Sequence, residues 1–129
     1  MKDLDLLDMA VEAREKAYAP YSGFMVGAAL LDRDGQVFTG CNVENVSFGL
    51  TLCAERTAIV KAVSAGKRDF EKMMIVAREP VVPCGACLQV MAEFSPEIEI
   101  VCAVTSGEMQ AFKLADLFPK SFTWSGRTK

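Results

Sequence analysis

The chain has 129 residues, 51% hydrophobic and 24% charged, with a net charge of −3. That is enough apolar material for one domain, residues 1–129, and too little length for a second. Acids and bases are interspersed, and the basic clusters, Lys67-Arg68 and Arg127-Thr128-Lys129, are short. This argues against a grip on a nucleic-acid backbone. No apolar run approaches the roughly 20 residues of a membrane-spanning helix. The opening MKDLDLLD has none of the layout of a secretory signal. A soluble, cytoplasmic protein is expected.

Residues 3–18 read as an amphipathic helix with Leu4, Leu7, Val11 and Tyr18 on one stripe, Asp3 as its cap and Pro20 as its stop. After Tyr21-Ser22-Gly23 comes a strand at Met25–Leu31, whose continuous apolar character predicts burial on both faces. Asp32-Arg33-Asp34-Gly35 signals a turn, and Gln36–Cys41 returns as the second arm of a hairpin. Residues 42–51 read as a loop. A helix from Cys53 to Ala65 follows, closed by Gly66.

Met73–Ala77 is a short strand, and Glu79–Pro83 a loop. Cys84–Phe94 reads as a helix, Ile98–Val104 as a strand, Met109–Lys113 as an edge strand and Leu114–Phe118 as a short turn or helix. Strands alternating with helices predict right-handed crossovers and helices on both sheet faces. The expected fold is α/β, a three-layer α/β/α sandwich around a mixed five-stranded sheet.

The chain has five cysteines and no histidine. Without histidine there is no Ser-His-Asp triad, no cysteine–histidine couple and no two-cysteine, two-histidine zinc finger. In a cytoplasmic chain, five cysteines point to metal or core use before a disulfide framework. Cys84-Gly85-Ala86-Cys87 is a C-x-x-C at a helix start, where the dipole favours thiolates. Alone it fits a redox pair, half of a structural zinc site or two core cysteines.

Cys53 changes the balance. It also stands at a helix start, and a redox dithiol has no use for a third cysteine. Three thiolates with a fourth position open to water suit one Zn2+ per chain. Glu55, two residues beyond a metal ligand, can lie beside the water without binding the metal and can move its protons. Arg56 has two readings: a donor to the ligand sulfurs that draws off charge, or a solvated helix arginine. Cys41 and Cys102 lie in apolar strands and read as core. Cys41 as a fourth ligand would instead give a closed structural zinc module, the main non-enzymatic rival.

Ligand-x-Glu followed by Pro-Cys-x-x-Cys is the spacing of zinc deaminases. The chain resembles the small, homotetrameric class of cytidine deaminase through Tyr18–Leu30 (YAPYSGFMVGAAL), Asn42–Asn45 (NVEN), Cys53–Ala58 (CAERTA), Pro83–Cys87 (PCGAC) and Leu117–Phe122 (LFPKSF). The resemblance implies zinc on Cys53, Cys84 and Cys87, with Glu55 as the proton shuttle. Asn42 and Glu44 would hold the ribose hydroxyls, and Phe24 would pack on the pyrimidine. Backbone groups of Ala54 and Cys84 would read the base edge. It also implies a homotetramer with composite sites, in which Phe122 enters a neighbouring subunit's site.

Two departures stand out: Leu88 where relatives commonly carry Arg, and Phe48 where they often carry Tyr. The implied reaction converts cytidine or deoxycytidine to uridine or deoxyuridine and ammonia, as in pyrimidine salvage. No phosphate-binding glycine loop is evident, which favours a nucleoside over a nucleotide. Rival readings are deamination of another aminopyrimidine nucleoside such as blasticidin S, the closed zinc module, and nucleic-acid editing.

Overall fold

A computed structural model describes residues 1–124. In chain order the elements are α1 (Asp3–Arg14), β1 (Gly27–Asp32), β2 (Val37–Cys41), a 3-10 turn at Phe48–Leu50, α2 (Ala54–Ser64), β3 (Phe70–Ala77), α3 (Gly85–Phe94), β4 (Glu99–Val104), β5 (Met109–Lys113) and α4 (Leu114–Leu117). The strands form one sheet in the order β2-β1-β3-β4-β5. β3 and β4 are parallel, and the other neighbouring pairs are antiparallel. The sheet is therefore mixed, as the alternation of elements predicts.

Alternation along the strands divides the core in two. On one face, Leu6, Leu7 and Ala10 of α1 pack against Ala29, Leu31, Met74, Val76, Val101 and Ala103. On the other, Ala58, Ile59 and Ala62 of α2 and Leu88 and Met91 of α3 cover Ala28, Leu30, Met73, Ile75 and Ile100. Each large side chain so buried contributes about 1.5–3 kcal/mol. β1 is buried along its whole length, as its continuous apolar run predicts.

α1 corrects the sequence reading. It ends at Arg14, and its buried stripe is Leu6, Leu7, Ala10 and Ala13; Leu4 and Tyr18 are exposed. Asp3 does not cap the helix but pairs with Lys72 of β3 at 2.6 Å. Beyond Arg14 the chain closes in local turns, Lys16 N–H on the Ala13 carbonyl and Ala17 N–H on the Arg14 carbonyl, and tertiary partners then claim the backbone of Tyr18. Tyr18 N–H donates to the Asn42 carbonyl, and its own carbonyl accepts from Glu44 N–H. Arg14 Nε donates to the Met25 carbonyl, tying the helix end to the loop before β1.

Gly40 decides where α2 lies. A Cβ there would stand 2.5 Å from the Ala54 carbonyl and 2.6 Å from Ala58 N. Only a residue without a side chain lets the first turn of α2 rest on β2. That turn carries Cys53 and Glu55.

Candidate active site

Cys53 is the N-cap of α2 and Cys84 the N-cap of α3, both extended in backbone conformation, and neither side chain caps its helix. The helices thus begin one residue later than the sequence suggests, and both thiols are free to point elsewhere. Cys87 lies in the first turn of α3. The three sulfurs lie within 4.8 Å of one another, with Cys53–Cys84 at 3.9 Å and Cys84–Cys87 at 3.6 Å. Among the described residues, Cys41 and Cys102 stand outside this group.

Electrostatics match the geometry. The Cys53 thiol is lowered to about 5, first by a hydrogen bond from Cys87 and also by Arg56. In the metal-free cluster the Cys87 thiol is correspondingly pushed up, because it donates to Cys53 and is buried; a divalent ion bound there would displace its proton. The Arg56 guanidinium donates from Nη2 to Cys53 Sγ and to the Thr51 carbonyl, each at 3.4 Å. Arg56 Nε is buried without a partner among the described residues. A cation held against sulfur offsets the charge that three thiolates bring to a divalent ion. The donor set is soft, convergent and at two helix N-termini, which fits zinc.

Glu55 is 5% exposed. Burial pushes its carboxyl up to about 7, where an acid both accepts and releases protons near neutrality. It lines a cavity of about 370 Å3 together with Phe24, Asn42, Glu44, Cys53, Ala54 and Cys84. Such a volume suits a small molecule.

Asn42 Oδ1 accepts from Val26 N–H at 2.9 Å, and its Nδ2 donates to the Phe24 carbonyl at 2.8 Å. Glu44 Oε1 accepts from the N–H groups of Tyr21 and Ser22 at 2.9 and 3.1 Å. Its Oε2 accepts from the Ser22 hydroxyl. These bonds, Ser22's hydroxyl foremost, hold the Glu44 carboxyl below the usual carboxylate range. A carboxylate has about four acceptor positions, so Oε2 keeps one for a ligand.

Phe122 does not line this cavity; it is 77% exposed. Phe48 is exposed and meets Tyr21 edge-on at 6.2 Å. Leu88, a departure noted above, is buried and makes an apolar contact in the core. Sequence reasoning missed Ser22, Val26, Thr51, Ile75, Val81 and Val82, which complete the cavity wall. Val81 and Val82 had a signal: two apolar residues between prolines in a loop. Arg78, also missed, sits over the Phe24 ring at 5.3 Å. Cys102, pushed up to about 11 by burial, faces a second cavity of about 340 Å3 behind Val81 and Val82.

A mixed α/β/α sandwich whose three convergent thiols meet beside a buried carboxylate, with Cys53, Cys84 and Glu55 on one cavity, has the make-up of a metal-dependent enzyme. Residues 1–104 match the cytidine and deoxycytidylate deaminase zinc-binding region, and the chain belongs to that family. It is 50% identical over 121 residues to a cytidine deaminase of Halalkalibacterium halodurans, covering 92% of each chain. The crystal structure of cytidine deaminase from Burkholderia pseudomallei superposes with a TM-score of 0.91 at 49% identity, over 95% of this chain and all of that one. That from Mycobacterium tuberculosis gives 0.81 at 38% identity, over 96% of this chain and 100% of that one. The enzyme is a zinc-dependent hydrolytic deaminase, with Cys53, Cys84 and Cys87 able to hold the metal. No helix among the described residues is long and apolar enough to cross a membrane.

Proposed function

We propose that this enzyme deaminates cytidine and deoxycytidine to uridine and deoxyuridine, releasing ammonia, as a single-domain cytoplasmic enzyme of pyrimidine salvage. The observation that carries the reading is the buried Glu55 on the same cavity as Cys53 and Cys84 of the thiol cluster and the Asn42–Glu44 pair. The substrate assignment draws support from the cytidine deaminases to which the chain is similar over nearly its full length.

Zinc on the three thiolates supplies Lewis acidity, bringing the ionisation of water toward neutral pH. The residues supply the rest. Phe24 packs on the pyrimidine, and backbone groups of Ala54 and Cys84 read its edge. The spare capacity of Asn42 and Glu44 Oε2 receives the ribose hydroxyls. Glu55 takes a proton from the attacking water and delivers it to N3 as the oxygen adds at C4. It then carries the second proton to the amino group; the C4–N bond breaks and ammonia leaves. Arg56 steadies the sulfur charge throughout.

A homotetramer with composite sites completes the reading. Its support is the exposure, among the described residues, of the apolar set Val46, Phe48, Leu50, Phe122 and Trp124. The test follows the loss of cytidine's ultraviolet absorbance with zinc measured on the same sample. Turnover at one zinc per chain is expected. Glu55→Gln should keep the zinc and lose about 100- to 10,000-fold in kcat. Stoichiometric zinc without turnover on either nucleoside would overturn the substrate assignment.

A further inference from the structure

Phe122 is held in an unusual way. Residues 118–124 carry neither helix nor strand, yet the backbone of Phe122 is gripped at both of its polar groups by one side chain. Gln89 Nε2 donates to the Phe122 carbonyl, and Gln89 Oε1 accepts from the Phe122 N–H, each at 3.1 Å. A primary amide that meets one residue at both N–H and C=O acts as a strand partner would. It fixes the position and the direction of the chain at that residue, which a single bond would not.

Gln89 itself stands on α3, two residues beyond Cys87 and five beyond the N-cap Cys84. Its helix is anchored by Leu88 and Met91 in the core. The grip therefore refers the segment to the rigid element that carries two of the three thiols. Among the described residues, the clasp leaves the ring uncovered. Phe122 is 77% exposed, and Trp124, two residues on, is 70% exposed. A backbone pinned at two points while its aromatic side chain stands in solvent is arranged to present that side chain to something else.

We propose that Gln89 is a positioning residue: its amide clasps the backbone of Phe122 and thereby presents the ring to the nucleoside site of a second copy of this chain. This rests on the composite-site reading above. The clasp leaves the reacting atoms alone and acts by pre-organising a contact that would otherwise have to be ordered on binding. A ring that packs on bound nucleoside holds ground state and transition state alike, so its loss appears in KM with kcat kept.

The test uses full-length, zinc-loaded enzyme with Gln89→Met, which keeps the length of the side chain and removes both bonds, Phe122→Ala, and the double variant. Gln89→Met should keep zinc content and kcat and raise KM for cytidine about tenfold, the effect of losing one to two hydrogen bonds. The double variant should be no worse than Phe122→Ala, because the clasp acts only through that ring. Trp124, the chain's one tryptophan, should lose fluorescence anisotropy in Gln89→Met as the segment is released.

Gln89→Glu keeps the acceptor but sets a second oxygen against the Phe122 carbonyl, and should match Gln89→Met. If Phe122→Ala raises KM while both Gln89 variants leave it unchanged, or if the two effects add, the role of Gln89 is refuted and the composite site stands. If Phe122→Ala itself leaves KM unchanged, the composite site falls and this proposal with it.

Discussion

Glu55 places a carboxyl where ionisation opposes folding, and the size of that conflict is measurable in metal-free protein. Its carboxyl is raised from 4.5 to about 7, chiefly by burial. The folded state then binds more protons than the unfolded one between these values, so stability falls as pH rises through that interval. At about 1.4 kcal/mol per pH unit, the full penalty is about 3 kcal/mol above neutrality. At pH 5 it is less than about 1 kcal/mol by the same linkage.

Glu55→Gln removes the ionisation and keeps the shape. The buried amide brings hydrogen-bonding demands of its own, which offset part of the gain equally at both pH values. The change between pH 5 and pH 8, about 2.5 kcal/mol, is free of that offset. The assay is urea unfolding with chelator and reductant at one fixed protein concentration, since association shifts apparent stability. The variant should gain on the wild type by that amount from pH 5 to pH 8. A stability difference that does not change with pH would refute the account of Glu55 as a carboxyl held in its neutral form by burial.

Ser substitutions should divide the cysteines. Cys53→Ser, Cys84→Ser and Cys87→Ser should release zinc, whereas Cys41→Ser and Cys102→Ser should retain it, as read by metal analysis after gel filtration; release by Cys41→Ser would mean a closed site. Arg56→Ala removes the donor at 3.4 Å from Cys53 Sγ. Zinc affinity, measured by chelator competition, should fall about 10- to 100-fold. Gly40→Ala would drive a methyl group into the first turn of α2. It should destabilise the fold by about 1–3 kcal/mol and weaken zinc binding as well, because Cys53 and Glu55 move with that turn.

The sequence reading of α1 shows where one-dimensional patterns fail. Leu4, Leu7, Val11 and Tyr18 form an acceptable stripe on a helical wheel, but the buried side is Leu6, Leu7, Ala10 and Ala13. Small residues let the helix approach the sheet, and an alanine carries little hydrophobic signal in a pattern. The end of the helix was equally hidden. It closes at Arg14 in local turns, and distant partners, Asn42 and Glu44, then take up the backbone of Tyr18. The strands fared better, since β1 and the Met73–Ala77 part of β3 are buried on both faces and read as apolar runs; the opening Phe70-Glu71-Lys72 of β3, with Glu71 exposed, carries no such run and was missed.

By itself, the sequence narrowed the chemistry. Five cysteines without a histidine, two of them at helix starts and one followed by a glutamate two residues on, leave thiolates and carboxylates as the side chains for metal binding and proton transfer. Those are local facts, set by spacing on a helix turn and by the helix dipole. What the tertiary structure alone decided is which groups meet. Cys53 and Cys84, 31 residues apart, stand at 3.9 Å because Gly40 and the shared sheet bring two helix N-termini together. The raised carboxyl of Glu55, the bonds that spend most of Glu44's acceptors and the clasp of Gln89 on Phe122 all depend on burial and on long-range contact. Neither quantity has a period, so no pattern along the chain reports it.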